Sequence, residues 1–279
     1  MYKKILAAVN EHFNSEVSAR YAMNLALTCG AKFYICFIAG KGMHCSGFER
    51  AEDAAKRLFS EARNKGLQVE SITETGEPVT EIEKVVKHEE IDVVFASTRR
   101  EDIEKRFYEG TIARKLSLNL PCSVALVRVV HMGRVHPGKI LVPLNARINR
   151  VKERAYFTAR MAGAFHSKVF VFYAAKPITK FFHGEVHLTP LEWEQRLPRD
   201  ILDFMEHIRK YNIELEGRLA PGAVAKTITI EAVSKRHDLI IMGASERNLL
   251  SSIFKGNPVE KVLRDTPCDL IIFKAKHED

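Results

Sequence analysis

Two stretches decide the fold of this chain: Ile91-Asp92-Val93-Val94-Phe95-Ala96-Ser97 and His237-Asp238-Leu239-Ile240-Ile241-Met242-Gly243. Each is a short, continuous apolar run that an aspartate introduces, and the two aspartates lie 146 residues apart. Such a run is typical of a strand that is buried on both faces, as in a parallel sheet. The chain therefore repeats a parallel-sheet unit.

Other landmarks keep the same spacing of 146 residues: Pro121-Cys122 with Pro267-Cys268, Gly110 with Gly256, and Gly76 with Gly222. The opening strands, KKILAAVN ending at Asn10 and GKILVPLN ending at Asn145, lie 135 residues apart, so the second copy has about eleven extra residues. Each copy has the size of a small domain. We predict domains at 1–130 and 138–279, a short linker over 131–137, and an insertion at about 176–198.

Within each half, apolar runs alternate with stretches of helical spacing. In the first half the runs lie at 5–9, 33–38, 67–72, 92–96 and 123–129, and in the second at 140–144, 169–174, 213–217, 239–242 and 270–273. Strands that alternate with helices predict a parallel sheet covered on both faces, and right-handed crossovers make it doubly wound. The sequence thus predicts an α/β protein made of two doubly wound sheets.

Composition agrees with globular domains: 46% of the residues are hydrophobic and 28% are charged. No apolar run is long enough to span a membrane, and Met1–Lys4 lead into a strand rather than a signal peptide. The five cysteines form no CxxC pair, which favours reduced thiols in a cytoplasmic protein. A net charge of +8 permits an acidic partner, but the charges are interleaved, which favours an ordinary solvated surface.

A ligand site in such a sheet lies at the carboxyl ends of the strands, where the strand order reverses. Loops 10–15 and 97–111 would meet there in the first half, and loops 145–149 and 243–257 in the second. Gly110-Thr111 and Gly256-Asn257 each precede a predicted helix. Such a pair can cradle a phosphate on the helix amides, or it can serve only as a tight turn with an N-cap.

Both halves carry ordered segments that resemble the universal stress protein family in its tandem form. The family pattern runs from an ILVAVD-like strand through a Gly-x2-Gly-x9-Gly-Ser/Thr loop to a PCPVLVV-like strand. The matching segments here are Lys4–Val9, Pro121–Val127, Ile140–Leu144, Met242-Gly243 and Pro267–Ile272. The resemblance implies a Rossmann-like five-stranded sheet of order 3-2-1-4-5 in each half, pairing of units through their last strands, and a cytoplasmic role in the stress response.

The resemblance also implies where a nucleotide would bind. Some members bind ATP through the glycine loop and through an aspartate at the end of the first strand, and others bind none. Carried over to this chain, the candidate nucleotide-binding residues are Asn10, Ser97, Thr98, Arg100, Gly110 and Thr111 in the first half and Asn145, Gly243, Ser245, Gly256 and Asn257 in the second.

This chain departs from the nucleotide pattern in both halves. Asn10 and Asn145 replace the aspartate, and an amide lacks the two anionic acceptors that suit a ribose diol. Arg100 and Glu246 replace the middle glycine, where the backbone must approach a phosphate, and Glu246 also adds a repelling charge. The departures favour weak nucleotide binding, or none.

Other motifs point to no additional chemistry. His183 and His187 have a spacing that two metal ligands can adopt on a helix, but Gly184 and the lack of a third ligand favour a surface loop. The sequence contains neither a P-loop motif nor a GxSxG nucleophile elbow. We therefore assign no metal ligands and no catalytic residues.

Three expectations about assembly and function follow. The apolar last strands, Cys122–Val129 and Cys268–Phe273, should pair across an internal pseudo-two-fold axis, making one chain an intramolecular pseudo-dimer with or without further homodimerisation. The protein should act through binding or as a scaffold. We expect a protein partner and no nucleic-acid or membrane partner. The alternative is a protein that binds ATP or another adenine nucleotide and hydrolyses ATP weakly. The insertion, which contains Trp193, should cover the second site or bind a partner.

Overall fold

The computed structural model of the chain describes residues 2–98, 111–133, 135–175, 197–221, 224–244 and 258–276. The first half contains β1 (Lys4–Val9), α1 (Phe13–Cys29), β2 (Lys32–Ala39), α2 (Cys45–Asn64), β3 (Val69–Thr75), α3 (Pro78–His88), β4 (Val93–Ser97), α4 (Ile112–Asn119) and β5 (Ser123–Arg128). The second contains β6 (Lys139–Leu144), α5 (Val151–Phe165), β7 (Lys168–Ala175), α6 (Arg199–Arg209), β8 (Leu215–Pro221), α7 (Val224–Ser234), β9 (Leu239–Gly243), α8 (Pro258–Asp265) and β10 (Asp269–Lys274).

The strands form one ten-stranded sheet of order β3-β2-β1-β4-β5-β10-β9-β6-β7-β8. All strand pairs within a half are parallel, and each half has the order 3-2-1-4-5. The two halves join where β5 pairs antiparallel with β10, from Val124 opposite Lys274 to Arg128 opposite Leu270. The predicted doubly wound sheets, and their pairing through the last strands, are confirmed.

Side chains that alternate along the strands build two cores, one on each face of the sheet. Helices α1, α2, α5 and α6 cover one face, which contains Phe95, Phe157 and Phe273. Helices α3, α4, α7 and α8 cover the other, which contains Leu6, Leu116 and Ile240. Both cores continue across the β5–β10 seam, so the halves share buried surface on both faces. None of the described helices is both long and apolar enough to cross a membrane.

Two polar contacts cross the seam, one from each half. Arg128 Nε donates to the carbonyl of Leu263 at 3.2 Å, and Lys274 Nζ donates to the carbonyl of Leu120 at 3.1 Å. Arg128 and Lys274 occupy equivalent positions, 146 residues apart. Each buried cation therefore binds a carbonyl of the opposite half.

The first helix of each half, α1 or α5, ends at a residue in the left-handed conformation. Gly30 ends α1 in the left-handed conformation (φ 63°), and His166 ends α5 in the same conformation (φ 52°). Helix α1 begins at Phe13, next to Asn14-Ser15, and α5 begins at Val151, two residues after Asn149. The Ser15 hydroxyl lies 2.8 Å from the carbonyl oxygen of His12 and 3.1 Å from that of Asn10, so it ties the first turn of α1 to the preceding loop.

Pro143 changes the pairing in the second half. Strand β6 pairs with β9 only at Ile140 and Leu141, whereas its first-half equivalent β1 pairs with β4 over three residues. Proline has no N–H to donate, so the ladder between the first and fourth strands ends earlier in this half. The carboxyl ends of β6 and β9 are therefore less tightly joined than those of β1 and β4.

The imidazole of His237 is buried just before β9. The ring of Phe170 meets it edge-on, with ring centroids 4.8 Å apart, and neither ring nitrogen has a hydrogen bond among the described residues. Desolvation, together with the nearby Lys139 and Arg218, lowers the pKa of His237 to about 4. The ring is therefore neutral in the folded protein at neutral pH.

We expect His237 to make stability fall as the solution is acidified from about pH 6.5 to about pH 4. In that window the unfolded chain binds a proton that the folded chain does not, and the loss should approach about 3 kcal/mol. Urea unfolding at several pH values measures it. His237→Phe should flatten this part of the profile and His88→Gln, at an exposed histidine, should not; an unchanged profile for His237→Phe would contradict the assignment.

Candidate functional site

A cleft of about 450 Å³ opens at the carboxyl ends of β1, β2 and β4 in the first half. Its walls come from the ends of these strands, the loops after β1 and β2, and the first turns of α3 and α4. This is the point where the strand order reverses, since β1 lies between β2 and β4 while the chain runs β1, β2, β3, β4. The cleft therefore lies where open parallel sheets bind their ligands.

The loop after β1 is held by Asn10, which lines the cleft. Its Oδ1 accepts a hydrogen bond from the backbone N–H of His12 at 2.9 Å, and its own N–H donates to the hydroxyl of Ser15 at 3.1 Å. The Asn10 side chain thus forms a local Asx turn, which fixes the loop before α1. Its side-chain carbonyl is used by the protein, and only the amide NH₂ group can donate outward.

The loop after β2 supplies the other side of the cleft with Gly40, Lys41, Gly42 and Met43. Gly42 has φ +85°, a conformation that favours glycine, so the sequence Gly-Lys-Gly makes this tight turn possible. The exposed ammonium of Lys41 places one positive charge at the mouth. An anionic ligand would find this charge at the edge of the cleft.

The fourth strand and α4 bring Ser97 and Thr111 to the cleft. The hydroxyl of Thr111 caps α4 by accepting from the N–H of Arg114 at 3.3 Å, so the helix N-terminus faces the cleft with its partial positive charge. Thr98 does not line the cleft; its side chain is buried and its N–H donates to the carbonyl of Val127 at 2.9 Å.

The floor of the cleft is apolar and includes Cys36, Ile38 and Ile82. Burial raises the pKa of the Cys36 thiol to about 12, so this sulfur is a protonated, weakly reactive group. An apolar floor with a few polar groups at the rim suits a planar, partly apolar ligand with a charged end.

In the second half the equivalent edge is built differently. Asn145 is exposed after β6, and Gly243 ends β9 with its Cα against the guanidinium of Arg154 in the first turn of α5. A Cβ at residue 243 would overlap this guanidinium. Gly243 is therefore needed for Arg154 to reach this edge of the sheet.

The structure places the predicted residues unevenly. Asn10, Ser97 and Thr111 meet around one cleft, Thr98 is buried beside it, and Asn145 and Gly243 lie at the matching edge of the second half. The other predicted residues, Arg100, Gly110, Ser245, Gly256 and Asn257, lie outside the described residues, as does nearly all of the insertion. Whether any of them binds a nucleotide stays a prediction.

Sequence reasoning missed the β2 side of the cleft and Arg154. Lys41 and Met43 could have been predicted from the sequence. The order 3-2-1-4-5 puts the end of β2 beside the end of β1, and a Gly-Lys-Gly turn follows β2 directly. Arg154 could not have been predicted in this way. Its spacing on α5 fits an ordinary helix surface, and only the structure shows that its guanidinium lies against Gly243.

Together, the tandem sheets and the switch-point cleft define a class of protein: a tandem α/β protein with an internal pseudo-two-fold axis. A model of the universal stress protein family matches residues 1–128 and 138–274. The chain belongs to the universal stress protein family, and it contains two copies of the family domain.

Solved structures show the same fold over the whole chain. A universal stress protein from Archaeoglobus fulgidus DSM 4304 is 17% identical with a TM-score of 0.65, covering 99% of this chain and 97% of that one. The cytoplasmic domain of a prokaryotic cation chloride cotransporter is 11% identical with a TM-score of 0.63, covering 100% of this chain and 98% of that one. No protein of curated function matches the sequence.

Proposed function

We propose that this protein is a non-catalytic binding protein of the stress response, located in the cytoplasm, whose first half binds an adenine nucleotide weakly. The observation that supports this most is the first-half cleft, with a volume of about 450 Å³ and with Asn10, Ser97 and Thr111 at its rim. This volume falls within the range of small-molecule sites, about 300–1,000 Å³.

The chemistry of the lining explains why the binding should be weak. The apolar floor would take the base, and the α4 N-terminus and Lys41 would face the phosphates. The Asn10 carbonyl oxygen already accepts one hydrogen bond from His12, and the side chain lacks the second, anionic oxygen that an aspartate would offer to the ribose hydroxyls. In this proposal the protein acts through binding, or as a scaffold for a protein partner.

Calorimetry of the full chain with ATP and magnesium tests the ligand. We expect binding in the first half no tighter than about 100 μM, roughly −5.5 kcal/mol. Asn10→Asp should tighten it because the carboxylate offers a second acceptor, and the double variant Glu246→Gly with Asn145→Asp should create or improve binding in the second half. Micromolar affinity in the unaltered chain would contradict the weak-binding proposal.

A second candidate is weak ATP hydrolysis. Its support is Glu11, a carboxylate that lines the same cleft and lies 3.1 Å from His12 Nε2. A carboxylate at that place could orient a water molecule. Release of phosphate from ATP by the unaltered chain but not by Glu11→Gln would favour this candidate over pure binding.

A further inference from the structure

Small side chains line the floor and walls of the first-half cleft. Ala8 comes from β1, Cys36 from β2, Ala96 from β4 and Ala113 from the first turn of α4. Because these side chains line the cleft of about 450 Å³, their size sets how much space it holds. A larger group at these positions would take up room that a ligand needs.

The register of the sheet identifies the second-half counterparts of Ala8 and Cys36. The pairs β1–β2 and β6–β7 each begin with a lysine opposite a lysine. Four residues further along, Ala8 lies opposite Cys36 in the first half, and Pro143 lies opposite Phe172 in the second. Phe172 is therefore the equivalent of Cys36, and both belong to the core on the same face of the sheet.

The other two small residues also have larger counterparts. The spacing of 146 residues that relates β4 to β9, and α4 to α8, matches Ala96 with Met242 and Ala113 with Val259. All four counterparts in the second half are buried. Each small residue around the first-half cleft is thus replaced by a larger, buried one.

Two lining positions change in the opposite direction. Ile38 and Leu116 have smaller counterparts in the second half, an alanine and a valine. Phe172 and Met242 alone add more side-chain atoms than these two positions lose. The exchange therefore places more side-chain volume around the equivalent point of the second half.

We infer that Cys36 is the residue that admits a ring-shaped ligand group into the first half, and that Phe172 fills the corresponding space in the second half. The inference rests on the proposed binding function and deepens it, because one chain then takes one ligand although it has two family domains. The loop exchanges at residues 145 and 246 act on a half whose space is filled. Any binding that they create should therefore stay weaker than that of the first half.

The energetics of the two sites differ for a simple reason. In the first half a ligand ring would pack against a thiol, a polarisable group that contacts aromatic rings favourably. In the second half a ligand would first have to displace the Phe172 side chain, which is 1% exposed. Exposing a buried aromatic ring to water is unfavourable, so the protein's own side chain excludes the ligand.

Fluorescence titration with anilinonaphthalene sulfonate, an apolar ring system with one negative charge, tests the cleft without assuming a nucleotide. We expect one dye molecule per chain, bound about tenfold or more weakly by Cys36→Phe, because the new ring occupies the ligand's place. Ala96→Met should weaken binding in the same direction. Cys122→Ala is the matched control, since Cys122 is buried but does not line the cleft, and it should bind the dye normally.

Thermal unfolding tests whether the new ring enters the cleft. Cys36 and Cys122 are buried in the same core, at 1% and 2% exposure, and of the two only Cys36 lines the cleft. Cys36→Phe should therefore keep the Tm within about 2 °C of the unaltered chain, whereas Cys122→Phe should lower it by about 5 °C or more, because a closely packed core has no room for the ring.

The outcomes separate this inference from the proposed nucleotide function. No saturable dye binding, equal binding by Cys36→Phe, two dye molecules per unaltered chain, or a Cys36→Phe variant as unstable as Cys122→Phe would overturn the inference. ATP with magnesium should displace the dye from the unaltered chain. Dye binding that depends on residue 36 but resists ATP would support the inference and contradict the nucleotide as ligand.

Discussion

Replacing Phe157 by alanine should lower the free energy of unfolding by about 3–5 kcal/mol. Phe157 lies on α5 in the second half and is fully buried. Its ring stacks on Phe273 of β10, with centroids 4.0 Å apart and planes at 12°, and it also meets Phe95 of β4 in the first half, with centroids 6.1 Å apart. The variant would leave a cavity between the halves, because helices on both sides of the seam hold its walls in place.

Urea unfolding followed by circular dichroism measures this loss. Phe13→Ala is the matched control, since Phe13 lies at the start of α1 and is 47% exposed; it should change stability by less than about 1 kcal/mol. We expect a single transition for the unaltered chain, because both cores cross the seam. Two separate transitions, or a Phe157→Ala variant as stable as the control, would show that the halves do not share a core.

Replacing Asp269 by alanine should cost about 2–4 kcal/mol, because three donors lose their acceptor at once. The Asp269 carboxylate is buried and accepts from the hydroxyl of Tyr21 at 2.8 Å and from the N–H groups of Val130 and His131 at 2.8 and 3.0 Å. All three donors belong to the first half or to the segment that follows it. Removing the carboxylate leaves the buried Tyr21 hydroxyl without its acceptor, whereas the N–H groups of Val130 and His131 lie closer to solvent.

Two further variants test whether the loss of stability in Asp269→Ala comes from the lost hydrogen bonds. Asp269→Asn keeps an acceptor and should recover part of the loss, and Asp265→Ala, at a more exposed carboxylate paired with Arg264, should change little. The loss from Asp269→Ala should also shrink in Tyr21→Phe, since the two side chains form one hydrogen bond and their effects are then not additive. Full additivity of the two changes would contradict the direct contact.

The fold could be predicted from the sequence because its strands are distinct apolar runs that recur in the same order in each half. The continuous apolar runs around Val94 and Ile240 leave little choice but a parallel sheet, and the equal spacing of the PC motifs identifies two copies. The apolar character of both last strands implied that they needed a partner, and β5 and β10 pair as expected.

The site was predictable only where it depends on strand order. Asn10, Ser97 and Thr111 meet because parallel strands end at one edge of the sheet, and this follows from topology alone. The position of the Arg154 guanidinium depends on which way a long side chain turns, and on the space that one missing methyl group leaves at Gly243. Hydrophobic periodicity contains no information about either.

The covalent joining of the two halves has a consequence for how such a protein can diversify. In a dimer of identical chains every substitution appears in both protomers, so a change that suits one site is imposed on the other. Here Cys36 in one unit stands against Phe172 in its duplicate, within a single continuous sheet. Covalent joining therefore frees the duplicated units from enforced symmetry, so that the two edges of one molecule can differ without loss of the β5–β10 contact that holds them together.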